Sequence, residues 1–255
     1  MRNINTIFQR EMKSYFTSPV AYGVMGFFAL LSGYFFYVYV YIFVQRGMES
    51  QMMGRATPMD VNEWVIRPIL MNVSVIGLFL IPMLTMRLFA EEKRSGTIEL
   101  LITSPVRDIE IILGKWFSAV ALYACILAIS SLNIIMLFGY GKPDWRPILV
   151  GYLGLLLQGA ALLSIGTFIS TTSKNQIIAA VGTFAICLIL WILDWMSSYG
   201  TEAWAKVVGY LSVVAHFETF AKGVVDSKDV IFFLSMCFLG LFLTARSMES
   251  LRWRA

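Results

Sequence analysis

Six stretches of the chain are apolar for about as long as a bilayer demands, near residues 20–44, 68–89, 117–138, 148–170, 177–195 and 230–246. In hydrocarbon a spanning segment has to satisfy its own backbone N–H and C=O groups, so each stretch is predicted as an α-helix. The pattern points to an all-α polytopic membrane protein with six transmembrane helices. Composition agrees: 58% of the 255 residues are hydrophobic and 14% charged, more apolar surface than one soluble core can cover. The last stretch is short at its apolar centre, but Asp229 and Arg246 bound it and can reach the two interfaces. A seventh span over 204–221 is the alternative. It would set Lys206, His216, Glu218 and Lys222 against lipid, so six spans and a structured loop are preferred.

The net charge of +4 does not indicate nucleic acid, because no basic cluster interleaved with aromatics occurs in a soluble segment. Cys125, Cys187 and Cys237 fall inside apolar spans, where they act as small hydrophobes and imply neither disulfides nor a metal. Residues 1–18 do not read as a signal peptide, since no small-residue cleavage site follows, and the first span is expected to be retained. Ile4, Ile7, Phe8, Met12 and Tyr15 recur there at helical spacing, which predicts an amphipathic helix lying at the interface. Residues 19–255 then form a single transmembrane domain. With a cytoplasmic N-terminus, twelve of the twenty basic residues fall on the cytoplasmic side, densest beside spans two and three. Both termini are therefore expected in the cytoplasm.

The cytoplasmic loop 87–115 carries five basic and five acidic residues between two spans. Arg87 and Glu91 are four apart, as are Ser95 and Glu99, while Ile98, Leu101 and Ile102 form an apolar stripe at helical spacing. This predicts a short helix over 91–104, weakened near its middle by about 1 kcal/mol at Gly96 and ended at Ser104-Pro105. Asp108 is expected to cap the next helix, with Glu110 in its first turn.

The run Glu91-Glu92-Lys93-Arg94-Ser95-Gly96-Thr97-Ile98-Glu99-Leu100-Leu101, followed by Thr103-Ser104-Pro105, resembles the cytoplasmic signature of type-two ABC transporter permeases. The resemblance implies that this segment is a coupling helix resting on a separate ABC ATPase subunit, with Glu91, Glu92, Lys93, Arg94, Gly96, Thr97, Glu99 and Leu101 as the coupling residues. It also implies two permease copies working with two ATPases in a bacterial cytoplasmic membrane. Ser173 to Ala180 resembles the family's link between spans four and five. Arg10-Glu11, Tyr15 to Pro19, His216 to Asp226 and Thr244 to Ser250 resemble the permease subunit of gliding-motility-associated transporters.

On the other side, residues 45–66 read as a polar loop with Gly54, Pro58 and Asp60 as turn formers. The outer loop 195–229 mixes aromatics with Gly200, Gly209 and Gly223, which fits interfacial or re-entrant helices before the last span. Gly114-Lys115-Trp116 and Gly141-Lys142-Pro143 cannot form a phosphate-binding loop, so ATP has to be handled by another chain. His216 stands without a constellation at metal-ligand spacing, and no catalytic residue, cofactor or metal is expected. Asn72, Asn133 and Gln158 are candidates to line a pathway, and no ionisable residue sits mid-span, which argues against ion-coupled transport. A path through such spans favours an amphipathic, lipid-linked or polymeric cargo over a small ion.

The sequence therefore reads as the permease of an ATP-driven exporter, with membrane lipids and an auxiliary extracytoplasmic protein as further partners. The alternatives are a membrane scaffold that docks an ATPase without transport, and an ATP-independent channel or carrier.

Overall fold

The computed structural model describes residues 2–53, 59–103, 106–141, 143–199 and 203–252. Among them no strand occurs, and the chain runs α1 (Arg2–Thr17), α2 (Pro19–Met52), a π turn (Asn62–Ile66), α3 (Arg67–Thr85), α4 (Ala90–Ser95), α5 (Ile98–Thr103) and α6 (Asp108–Tyr140). It continues through α7 (Trp145–Thr172), α8 (Gln176–Tyr199), α9 (Ala203–Tyr210), α10 (Val213–Ala221) and α11 (Ser227–Arg252). Six helical segments among the described residues are long and apolar enough to cross a membrane, one for each predicted span. The helices outrun the apolar stretches that announce them. Span one extends to Met52, so it takes in the start of the predicted polar loop, whose Gly54 and Pro58 lie outside the described residues.

α7 is the central helix, and small residues put it there. In lipid there is no hydrophobic drive between helices, so close backbone approach and hydrogen bonds hold them together. Tyr123 of α6 packs over Gly159, where a Cβ would fall 2.1 Å from its ring, and Thr85 of α3 packs over Gly166. Gly240 of α11 lies against Ser164, whose hydroxyl donates to the Met236 carbonyl at 3.2 Å. Gln158 and Ser74 exchange two hydrogen bonds, at 2.7 and 2.9 Å, and join α7 to α3. By contrast α2 is peripheral, with Tyr22, Phe27, Leu30, Tyr34, Tyr37 and Tyr41 exposed.

The predicted N-terminal helix is α1. Ile4, Ile7, Phe8, Met12 and Tyr15 are all partly buried, while most of the remaining described residues of the helix are exposed. Ile7 sits on Gly114 of α6, and Ser18-Pro19 ends α1 and starts α2, with the Ser18 hydroxyl accepting from the Val20 N–H at 3.4 Å.

Loop 87–115 is shorter than expected, because α6 begins at Asp108 and takes in its last eight residues. Asp108 is the first residue of that helix rather than its cap. Arg107 holds the cap position, and its N–H donates to Glu110 Oε2 at 3.3 Å. The single helix over 91–104 is in fact two, α4 and α5. Gly96 takes a φ of +75°, the left-handed conformation that ends a helix and that glycine adopts without strain.

At the far end of the bundle, α9 and α10 have 8 and 9 residues, roughly 12 to 14 Å each and too short to span. The polar groups that made a seventh span costly are paired instead. Glu218 meets Arg67 at 2.6 Å and Lys222 at 2.9 Å. His216 lies buried between Asp229 (2.6 Å) and the Tyr210 carbonyl (2.9 Å), stacked on Phe232, and ties α10 to α11. The Lys206 side chain lies outside the described residues.

Candidate functional site

The predicted coupling segment lies at the end of the bundle that carries α1, where one of its residues, Glu92, meets a buried lysine. Lys115 enters α6 two turns after its start, and its side chain is 2% exposed. Its Nζ lies 3.0 Å from Glu11 Oε1 of α1, 2.9 Å from Glu92 Oε1 of α4, and 5.3 Å from the centre of the Phe89 ring. Arg10 adds a second cation, 2.9 Å from Glu11 and 3.3 Å from Glu92. Three segments far apart in sequence thus share one charge cluster. Taking these ions out of water costs several kcal/mol each, and mutual pairing offsets that cost. Burial pushes the Glu11 carboxyl upward, but Lys115 and Arg10 outweigh it and hold it below its ordinary value of 4.5.

A second set of bonds fixes the chain between α3 and α4. The hydroxyl of Ser170, near the end of α7, accepts from the N–H groups of Phe89 and Ala90, each at 3.1 Å. Lys93 donates to the Thr171 carbonyl. Leu88, Phe89 and Ala90 are fully buried beneath this turn. At its N-terminal end α1 is held by Asn3, which donates to Glu110 Oε2 at 3.0 Å.

These bonds divide the predicted residues. Glu92 and Lys93 face inward and bind the rest of the chain. Glu91, Arg94, Gly96, Thr97 and Glu99 are exposed, as is Leu100 at 73%. Ile98 is partly buried, and the side chains of Leu101 and Ile102 lie outside the described residues. The predicted pairing of Arg87 with Glu91 does not form, because residues 86–89 are a turn and not helix. The charge cluster is not legible in the sequence, where Lys115 enters only the loop's charge count and the rejection of a phosphate-binding loop.

Asn72, Asn133 and Gln158, the three amides expected to line a path, fall in different surroundings. Asn72 opens on a groove of about 700 Å³ between α2 and α3 and donates to the Tyr39 hydroxyl at 2.7 Å. Gln158 is buried against Ser74, and the partly exposed Asn133 donates to Ser32 at 3.4 Å, so each makes a hydrogen bond to a neighbouring helix.

Two comparisons bear on identity. Residues 5–245 match the family model described as ABC-2 family transporter protein. The chain is also 23% identical over 169 residues to the "Probable multidrug ABC transporter permease YbhR" of Escherichia coli strain K12, and equally to its counterpart in E. coli O157:H7. These matches cover 64% of this chain and 44% of each relative, so the matched region is less than half of the relatives' length. Six apolar helices and a family match over nearly the whole chain lead to one conclusion: this multi-pass membrane protein belongs to the ABC-2 transporter family.

Proposed function

We propose that the chain is the non-catalytic, membrane-spanning permease subunit of an ATP-driven exporter, with ATP hydrolysis on a separate subunit that docks on α4 and α5. One observation carries this reading: the exposed corner of Glu91, Arg94, Glu99 and Leu100 stands on a buried base that α1, α6 and α7 all grip. A push on α5 would reach α4, pass through Glu92 to Lys115, and from there reach α1 through Glu11. The end bearing α1 is cytoplasmic in this reading, and the exposed face of α2 is left for lipid or a second permease copy. The runs 216–226 and 244–250 support placement beside gliding-motility-associated permeases. The multidrug description of the E. coli relative, with the apolar groove at Asn72, supports an amphipathic organic cargo rather than a small ion.

The test is co-expression with candidate ABC ATPase subunits from the same genome. Glu99→Lys reverses an exposed charge on α5 without touching the buried cluster. It should leave membrane insertion intact and remove most ATPase co-purification and stimulated hydrolysis. Full retention of both would sink the proposal, and an ATPase that binds but is never stimulated would point to a scaffold.

A further inference from the structure

Beside the charge cluster lies a cavity of about 240 Å³ enclosed by α1, the start of α2, the end of α3 and α6. Its lining has a polar part, Glu11, Ser14, Ser18, Arg87 and Glu91, taken as its rim, and an apolar part that includes Val20, Val24 and Met83, taken as its floor. Glu11 is committed to Lys115 and Arg10. Arg87 and Glu91 are not: among the described residues neither has an ion-pair partner, and Arg87 Nε is buried without a hydrogen bond. The turn at 86–89 keeps the two apart, so the rim presents one uncommitted cation and one uncommitted anion to the same space. A ligand that satisfies both has to carry an anion and a hydrogen-bonding cation a few atoms apart.

The floor shows what else that ligand carries. Val20, Val24 and Met83 line this cavity and also the α2–α3 groove, which continues past Phe27 and Leu31. From Val20 to Leu31 the helix rises about 17 Å, roughly half of a ~30 Å hydrocarbon core. A head group on the rim would thus lead into an apolar track one leaflet deep. We propose that the cleft binds a membrane phospholipid with a primary-amine head group, the phosphate on Arg87 with the Ser14 and Ser18 hydroxyls, the ammonium on Glu91, and one acyl chain along α2 and α3. A quaternary amine would offer Glu91 no N–H, and a glycerol head group no charge. The lipid is wedged between α1 and the bundle, next to the segment gripped by Lys115. The inference rests on the α1 end lying at a membrane surface, and it does not require the ATPase.

The experiment is native mass spectrometry of the full chain, released from vesicles containing equal amounts of phosphatidylethanolamine, phosphatidylcholine and phosphatidylglycerol. Wild type should retain one phosphatidylethanolamine per chain. Arg87→Gln should lower that occupancy about tenfold, the loss expected for one charge-assisted contact. Glu91→Gln should keep a lipid but lose the preference for ethanolamine over choline. Val20→Trp, placed at a partly exposed position shared by cavity and groove, should displace the lipid while the thermal transition of the protein stays unchanged. Equal retention of all three lipids by wild type, or wild-type occupancy in both Arg87→Gln and Val20→Trp, overturns the proposal. A chain that binds its ATPase but holds no lipid overturns this inference alone. Lipid retention without ATPase binding overturns only the proposed function.

Discussion

Stripping a lysine of water costs several kcal/mol, and Lys115 is stable in place because two carboxylates and an aromatic ring face its ammonium. Removing one partner of such a cluster is far more damaging than removing all of it. Lys115→Met should therefore cost about 3 kcal/mol, read as a lower melting temperature of the detergent-solubilised chain. The triple variant Lys115→Met, Glu11→Gln, Glu92→Gln should recover most of that loss, and a single variant as stable as wild type would show that water reaches the site. Acid probes the same contact. Glu11 is held below its ordinary value of 4.5, so the stability it contributes is fully present above that pH and is lost as pH falls through the lower, folded value. Melting temperature should fall below pH 4.5 in wild type and fall less in Glu11→Gln.

Elements were legible where a single physical demand shaped them, and less so where two segments shared it. Apolar length alone located the six spans, and helical spacing located α1, because a bilayer and its surface impose those patterns on each segment separately. The break at Gly96 was half legible. Its weakness as a helix former marked the place, but only the turn that Ser170 holds at 86–89 sets the direction in which α4 leaves, and Ser170 lies on another span. The charge cluster left one trace that spacing could have caught. Glu11 lies on the line of Ile7 and Tyr15, four residues from each, so a carboxylate stands within the apolar stripe of α1 and demands a buried cation. Which of the twenty basic residues answers that demand depends on how α1 lies across α6. His216 and Asp229 pose the same difficulty across the turn before α11.

At the scale of the whole molecule, α7 is gripped on several sides while α2 is largely uncovered, a distribution suited to a bundle whose periphery meets lipid or another subunit. The arrangement is polar, with α1, α4, α5 and the end of α11 at one end and α9 and α10 at the other. Single cysteines at Ser198 and Ser250, in a background without Cys125, Cys187 and Cys237, should react with a membrane-impermeant maleimide from opposite sides. Labelling from one side would mean that the 204–221 region crosses the membrane after all. The Lys115 cluster also imposes an order on biogenesis. Glu11 and Lys115 are 104 residues apart, so at 5–20 residues per second the carboxylate waits roughly 5 to 20 s for its counter-ion to be synthesised. During that interval Glu92 emerges as well, and the nascent chain holds two acids with only Arg10 from the cluster to balance them. The N-terminal helix can settle into its final seat only once the third span has begun to leave the ribosome.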